Sequence, residues 1–131
     1  MSMRDVIEEV RKRLDDADFN VHLGYLADPK IDQLPLVAVY LSENVPQHNK
    51  PAYVGDMTLV LEYHARERVD PLLAMVDAAE LMRNAVIQST GIDVTERLGG
   101  AAHDVQHVRD VGVMRERDIY TVQTILRITY S

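Results

Sequence analysis

His103 and His107, in the run His-Asp-Val-Gln-His, have the spacing that comes nearest to a metal motif. On a helix, two imidazoles four residues apart share a face and can hold one zinc ion, with a neighbouring glutamate as general base. Here that glutamate is missing and the surrounding valines alternate as in a strand. In an extended chain, residues four apart lie ~13 Å from each other, too far to share an ion. The expectation is surface histidines and no bound metal. Nucleophilic chemistry has no better footing. The chain lacks cysteine, and Ser42, Ser89 and Ser131 stand in no Gly-x-Ser-x-Gly elbow. Gly99-Gly100 lacks the spacing, and the following Lys-Ser/Thr, that would cradle a phosphate. The carboxylates fall mostly on expected helix faces and loops beside an arginine, the pattern of solvated charge rather than of an acid–base pair. No catalytic residue and no cofactor is expected.

Charge narrows the partners. Fourteen basic against 21 acidic residues leave a net charge of −7, which argues against a protein that coats nucleic acid through clustered Lys and Arg. Tyr25, Tyr40, Tyr53, Tyr63, Tyr120 and Tyr130 could stack on bases, but they lack basic neighbours, and most lie on expected strands where packing explains them. No apolar run approaches the ~18 residues of a membrane span, and Met1-Ser2-Met3-Arg4-Asp5 opens no secretory leader. The absence of cysteine fits a reducing compartment. A length of 131 residues predicts one domain, 1–131, large enough for a real core.

The elements that would position any site follow from periodicity. Ser2 and Asp5 read as a capping box before a helix over 3–16, with Met3, Ile7, Val10 and Leu14 inward and charge elsewhere. Val21 to Leu26 reads as a short strand with Val21, Leu23 and Tyr25 on one side, ended by Asp28-Pro29. Leu36 to Leu41 is an apolar strand covered on both faces, with Pro35 at its entrance. Glu43 to Gly55, rich in Pro and Asn, reads as a long polar loop. Met57, Leu59, Leu61 and Tyr63 then alternate as a strand. Asp70-Pro71 is a strong start signal for a helix over 70–89 that packs on the sheet through Leu72, Val76, Ala79, Met82 or Arg83, and Val86. Gly91 would stop it, and Gly99 to Ala102 would form a flexible joint. Val105, His107, Arg109, Val111 and Val113 alternate, with Val108 breaking the pattern, and Arg115 to Asp118 reads as a charged hairpin tip. Ile119 to Tyr130 alternates most cleanly, with Tyr120, Val122, Thr124, Leu126, Ile128 and Tyr130 on the buried side. Burying its large apolar members is worth on the order of 8–15 kcal/mol gross. Together these elements predict a compact α+β domain.

Several of these residues, in this order, resemble a known family. Leu34-Pro35-Leu36-Val37-Ala38-Val39-Tyr40-Leu41, the polar loop and strand after it, the Asp-Pro helix start and the closing Ile128-Thr129-Tyr130 strand are similar to the tail terminator proteins of lambda-like, long-tailed phages (the minor tail protein U type). The likeness runs over nearly the whole chain, although Gly99 to Asp118 has no counterpart of equal length. It implies an α+β subunit with a mixed, mainly antiparallel sheet of roughly four to five strands and two main helices packed on it. It also implies a homo-hexameric ring on the head-proximal end of the tail tube, made in the host cytoplasm and kept in the virion. The implied partners are other copies, the major tail tube protein and the head–tail connector or neck protein. No membrane and no sequence-specific nucleic acid are implied, with DNA passing through the ring lumen. A closed ring needs two different patches per subunit. The candidates are the 43–56 segment, with Glu43, Asn44, His48, Lys50, Tyr53 and Asp56, and the 103–118 hairpin, with Arg109, Arg115, Glu116, Arg117 and Asp118. Two other readings fit the residues: a head-closure or neck adaptor, and a small-ligand-binding oligomeric α+β domain.

Overall fold

The computed structural model describes residues 3–47, 54–66, 69–87, 104–114 and 119–130. Helix α1 (Met3–Asp16) buries Val6, Val10 and Leu14 completely. Val6 takes the innermost place that the spacing assigns to Ile7, because an i, i+4 stripe from 6 to 14 lies nearest the sheet. Ile7 and Met3 flank it, partly buried. Arg4–Glu8 and Arg13–Glu9 pair one turn apart at 3.8 and 3.3 Å, the first on the outer side and the second half-buried. The helix closes where the Asp15-Asp16 cluster predicts. Asp18 adopts φ +68°, and the Phe19 and Asp18 N–H groups donate to the Leu14 and Asp15 carbonyls, each at 3.0 Å, a Schellman closure that satisfies the last turn. Ser2, the expected cap, lies outside the described residues.

Strand β1 (Val21–Leu23) is shorter than predicted. Gly24, at φ +121°, turns the chain, and Tyr25 leaves the side that holds Val21 and Leu23 to meet the Tyr40 ring edge-on at 5.3 Å. A 3-10 turn, Ile31–Gln33, precedes β2 (Leu36–Gln47), which runs parallel to β1 and antiparallel to β3 (Val54–Arg66).

The loop expected from Glu43 to Gly55 is therefore corrected at both ends: Glu43 to Gln47 continue β2, and Val54 and Gly55 open β3. Turn-forming residues serve as strand residues here because of a distant partner. The Tyr130 ring lies so close to Gly55 that a Cβ there would sit 2.6 Å from it. The Tyr130 hydroxyl donates to Asn44 Oδ1 at 2.8 Å. A small residue and an amide are what a buried tyrosine end needs. Pro46 is tolerated because no described strand flanks β2 on its outer side at that point.

Helix α2 (Pro71–Val86) starts where Asp70-Pro71 predicts, but Asp70 sits at φ 50° and its side chain makes no cap hydrogen bond. Its carbonyl accepts from the Ala74 N–H at 3.1 Å. Ile87 is extended and ends the helix before the expected 89. The Arg13 guanidinium donates to the Val86 carbonyl at 3.3 Å, a cation at a helix C-terminus that joins the helices.

Strands β4 (Asp104–Met114) and β5 (Ile119–Tyr130) form the expected antiparallel pair; their tip, 115–118, and the joint at 99–102 lie outside the described residues. Val108, the residue that spoils the alternation, is a bulge where the register shifts between His107 and Arg109. The bulge reverses the facing beyond it. Val105 and His107 share one face, and Arg109 and Val111 share the other, instead of all lying together. All six residues expected inward on β5 are buried.

The sheet order is β1-β2-β3-β5-β4, with all pairs antiparallel except β1–β2. The helices cover one face, over Val37, Val39, Met57, Leu59, Leu61, Val122, Leu126 and Ile128. This is the α+β architecture that the sequence predicts.

Candidate functional site

On the face turned away from the helices, Glu62 and His64 point the same way from β3, two residues apart, and Thr121 stands opposite His64 on β5. Their exposures are 1%, 0% and 2%. His64 Nδ1 lies 2.9 Å from Thr121 Oγ1. His64 Nε2 lies 2.9 Å from Glu62 Oε1, off the line of a well-formed hydrogen bond. Glu62 Oε2 accepts from Tyr40 Oη at 2.9 Å and from Gln123 Nε2 at 2.6 Å. Burial alone would push the Glu62 carboxyl up. The His64 imidazole and the Gln123 and Tyr40 donors outweigh that and hold it down, from an ordinary 4.5 to about 2. Glu62 is thus a buried carboxylate, an exception to the reading of the carboxylates as mostly solvated. The acid–imidazole–hydroxyl order is that of a nucleophilic relay, but a fully buried imidazole and hydroxyl offer a substrate no approach. The arrangement fixes strands; it does not reach solvent to do chemistry.

The second feature is apolar and exposed. Val69, Leu72 and Leu73 are 71%, 66% and 61% exposed, and Val76 and Leu81 are exposed as well. Leu72 and Val76 were expected to pack on the sheet. The buried positions of α2 are Ala78 and the expected Ala79, Met82 and Val86, so the C-terminal half of the helix carries the buried face, while in the N-terminal half Met75 packs against the core and Leu72, Leu73 and Val76 stay exposed. Beneath it a groove of about 200 Å³ runs between α2 and the β4–β5 hairpin, with Leu72, Met75, Val76 and Ala79 above and Asp110, Gly112 and Val122 below. Met75 reaches to within 3.4 Å of where a Cβ on Gly112 would stand, so the missing side chain lets the helix approach. Clustered exposed apolar side chains mark a surface that meets another macromolecule more often than they mark a free one.

The residues singled out from the sequence fall at several places. Glu43 is exposed on β2. Asn44 is tied to Tyr130, and Asp56 accepts from Thr129 Oγ1 at 2.7 Å, so both brace the sheet end beside Glu43. Arg109 is exposed on β4, at the opposite edge. His48, Lys50, Tyr53, Arg115, Glu116, Arg117 and Asp118 lie outside the described residues, as does His103. His107 meets Asp110 Oδ1 at 2.8 Å, and the same oxygen accepts from Thr124 Oγ1 at 3.0 Å. Among the described residues no group of three or more His, Asp or Glu could hold a metal ion.

Sequence reasoning missed the Glu62–His64 pair and the exposed half of α2. Each left a signal. Glu62 and His64 interrupt the apolar run from Leu59 to Ala65 on alternate positions, and Leu72-Leu73-x-Met75-Val76 carries more apolar side chains than one helix face can bury.

Among the described residues the fold defines a class: α+β, with a five-stranded mixed sheet and two α-helices on one face. That fold is similar to a chain of the virion of native gene transfer agent (GTA) particle, with a TM-score of 0.55 and 12% identity over 95% of this chain and 90% of that chain. At such identity the likeness is one of fold. No protein-family model matches the sequence, and no curated protein matches it.

Proposed function

We propose that this chain is a non-enzymatic subunit of a phage-like particle. As a homo-hexameric ring it caps the head-proximal end of the tail tube, stops tube polymerisation and gives the head connector a surface to dock on. The observation that carries this is the fold likeness to a chain of a gene transfer agent virion over nearly all of both chains. The resemblance of the Leu34 to Leu41 strand and the Ile128-Thr129-Tyr130 ending to tail terminators points the same way. The exposed apolar half of α2 supports it physically, because a subunit that works by occupying a tube end needs a surface of this kind. A net charge of −7 suits a lumen through which DNA slides without being held. Deleting the gene and imaging the tails tests the reading. Overlong or uneven tubes are expected. Tubes of uniform length lying beside unjoined heads would overturn it in favour of a head-closure adaptor.

A further inference from the structure

We infer that copies of this chain join by seating the outward side of α2 in one copy on the open end of the next copy's sheet, on the face turned away from its helices. The inference rests on the ring reading above and names its interface.

On α2, Leu73, Val76, Asp77 and Glu80 stand at i, i+3, i+4 and i+7, one stripe of the helix. All four are exposed, with exposed Leu72 beside them. The stripe is apolar where the helix begins and acidic one turn further on. The side chains of Asp77 and Glu80 join no ion pair among the described residues. The exposed parts of Leu72, Leu73 and Val76 amount to roughly 300 Å², the size of a contact patch but well short of the ~800 Å² per partner of a stable pair. A partner has to add polar contacts of the opposite sign.

The far face of the sheet supplies them. It is closed where Glu62 and His64 lie and opens further along, where Arg109 and Arg127 are exposed. Arg109 is paired with Ile125 and Arg127 with Gln106, which makes the two arginines diagonal neighbours ~7–8 Å apart on one face. Neither joins an ion pair among the described residues. The acids of that face are occupied or distant. Asp104 accepts from Gln106 at 3.0 Å and Asp56 from Thr129 at 2.7 Å. Glu43 shares the row of Arg127 with Thr58 between them, two strands and ~10 Å away. Two cations this close repel each other, and two carboxylates from outside relieve the repulsion. Asp77 and Glu80, ~5–6 Å apart at their Cβ atoms, fit that spacing within the reach of arginine side chains. Ile125 and Val111, half-buried beside Arg109, would receive Leu73 and Val76. Sign also excludes the symmetric pairings: α2 against α2 sets acid on acid, and sheet against sheet sets arginine on arginine. The helices and the open sheet face are opposite layers of the subunit, so the contact is heterologous, the kind that generates rings.

Two complementary variants test the contact. Asp77→Arg with Glu80→Arg makes one protein basic on both surfaces, and Arg109→Glu with Arg127→Glu makes a second acidic on both. All four positions are exposed, and both proteins are checked for unchanged melting. Each alone should give about tenfold fewer rings than wild type in negative stain at equal concentration. Mixed in equal amounts the two should recover rings, because unlike copies alternate around a hexameric ring, and the fourfold variant should recover them by itself. If wild type forms rings and either variant alone forms them as well, or the mixture and the fourfold variant recover none, the α2–sheet contact is overturned and the ring reading stands. Wild-type protein that forms no ring, free or on tail ends, overturns the two together.

Discussion

The face of the sheet under the helices and the face turned away from them are closed by different materials. Under the helices, Leu59, Leu61, Leu126 and Ile128 meet Leu14, Met82 and Val86, all fully buried and all apolar. On the other face, Leu36, Ala38 and Val60 share their burial with Glu62, His64 and Thr121. Apolar packing holds by area and shape, and its strength is indifferent to protons. A buried carboxylate holds only while its partners are in place and it stays ionised. The same sheet therefore has a side that is insensitive to pH and a side that is not.

The largest expected effect breaks the apolar side. Leu126→Ala should cost ~2–5 kcal/mol of unfolding free energy, read from denaturant titration, and the loss should be the same at pH 3.5 and pH 7. A loss that varies with pH would mean the two sides are not separable. The polar side should answer to acid. The Glu62 carboxyl titrates at about 2 in the fold against 4.5 ordinarily, so the unfolded chain binds the proton more readily between those values. The stability it contributes, on the order of 3 kcal/mol, is fully present above about pH 4.5 and is lost as pH falls toward the folded value. Glu62→Gln should flatten that part of the acid limb; an unchanged limb would show that other carboxylates set it. A smaller loss, ~1–3 kcal/mol, is expected for Gly55→Ala, since a methyl would press on the Tyr130 ring. Combining it with Tyr130→Leu should recover part of the loss. The smallest effect should come from the outer half of α2. Leu72→Lys with Leu73→Lys should change stability by no more than ~0.5 kcal/mol each, while removing assembly on a tube end in a sedimentation assay. A large drop in melting temperature would place those leucines in the core after all.

What the sequence made legible follows the same division. Strand β5 could be read whole, because alternation over Tyr120 to Tyr130 is the signature of a strand with one buried side, and a local pattern suffices. The start of α2 was legible from Asp70-Pro71 even though the Asp70 carboxylate makes no cap hydrogen bond and only its carbonyl joins the helix ladder. The facing of α2 was not, because apolar residues surround the helix and the choice between Leu72 and Ala78 is made by where the sheet lies. Glu43 to Gln47 could not be recognised as strand while Asn44 and Gly55 looked like turn formers. Their partner, Tyr130, is far away in sequence. Glu62 and His64 were hidden by a rule that normally works: polar residues alternating with apolar ones point to water. Here both faces of the sheet are closed at that end. Of the candidate contact residues, Glu43 and Arg109 were chosen for lying in a polar segment and a charged hairpin. That they occupy opposite edges and one common face needed the register, and above all the Val108 bulge.

The pairing of β3 with β5 runs from Gly55–Tyr130 to Arg66–Ile119, and it unites the β2–β3 hairpin with the β4–β5 hairpin. Each hairpin is a local structure that closes quickly, whereas the seam between them joins segments remote in the chain and must wait for both. Folding speed should therefore be governed by the docking of two preformed hairpins. In hydrogen exchange, the amides of Leu59 to Leu61 and Ile125 to Leu126 should be the last to give up their protons, since they open only when the whole subunit comes apart.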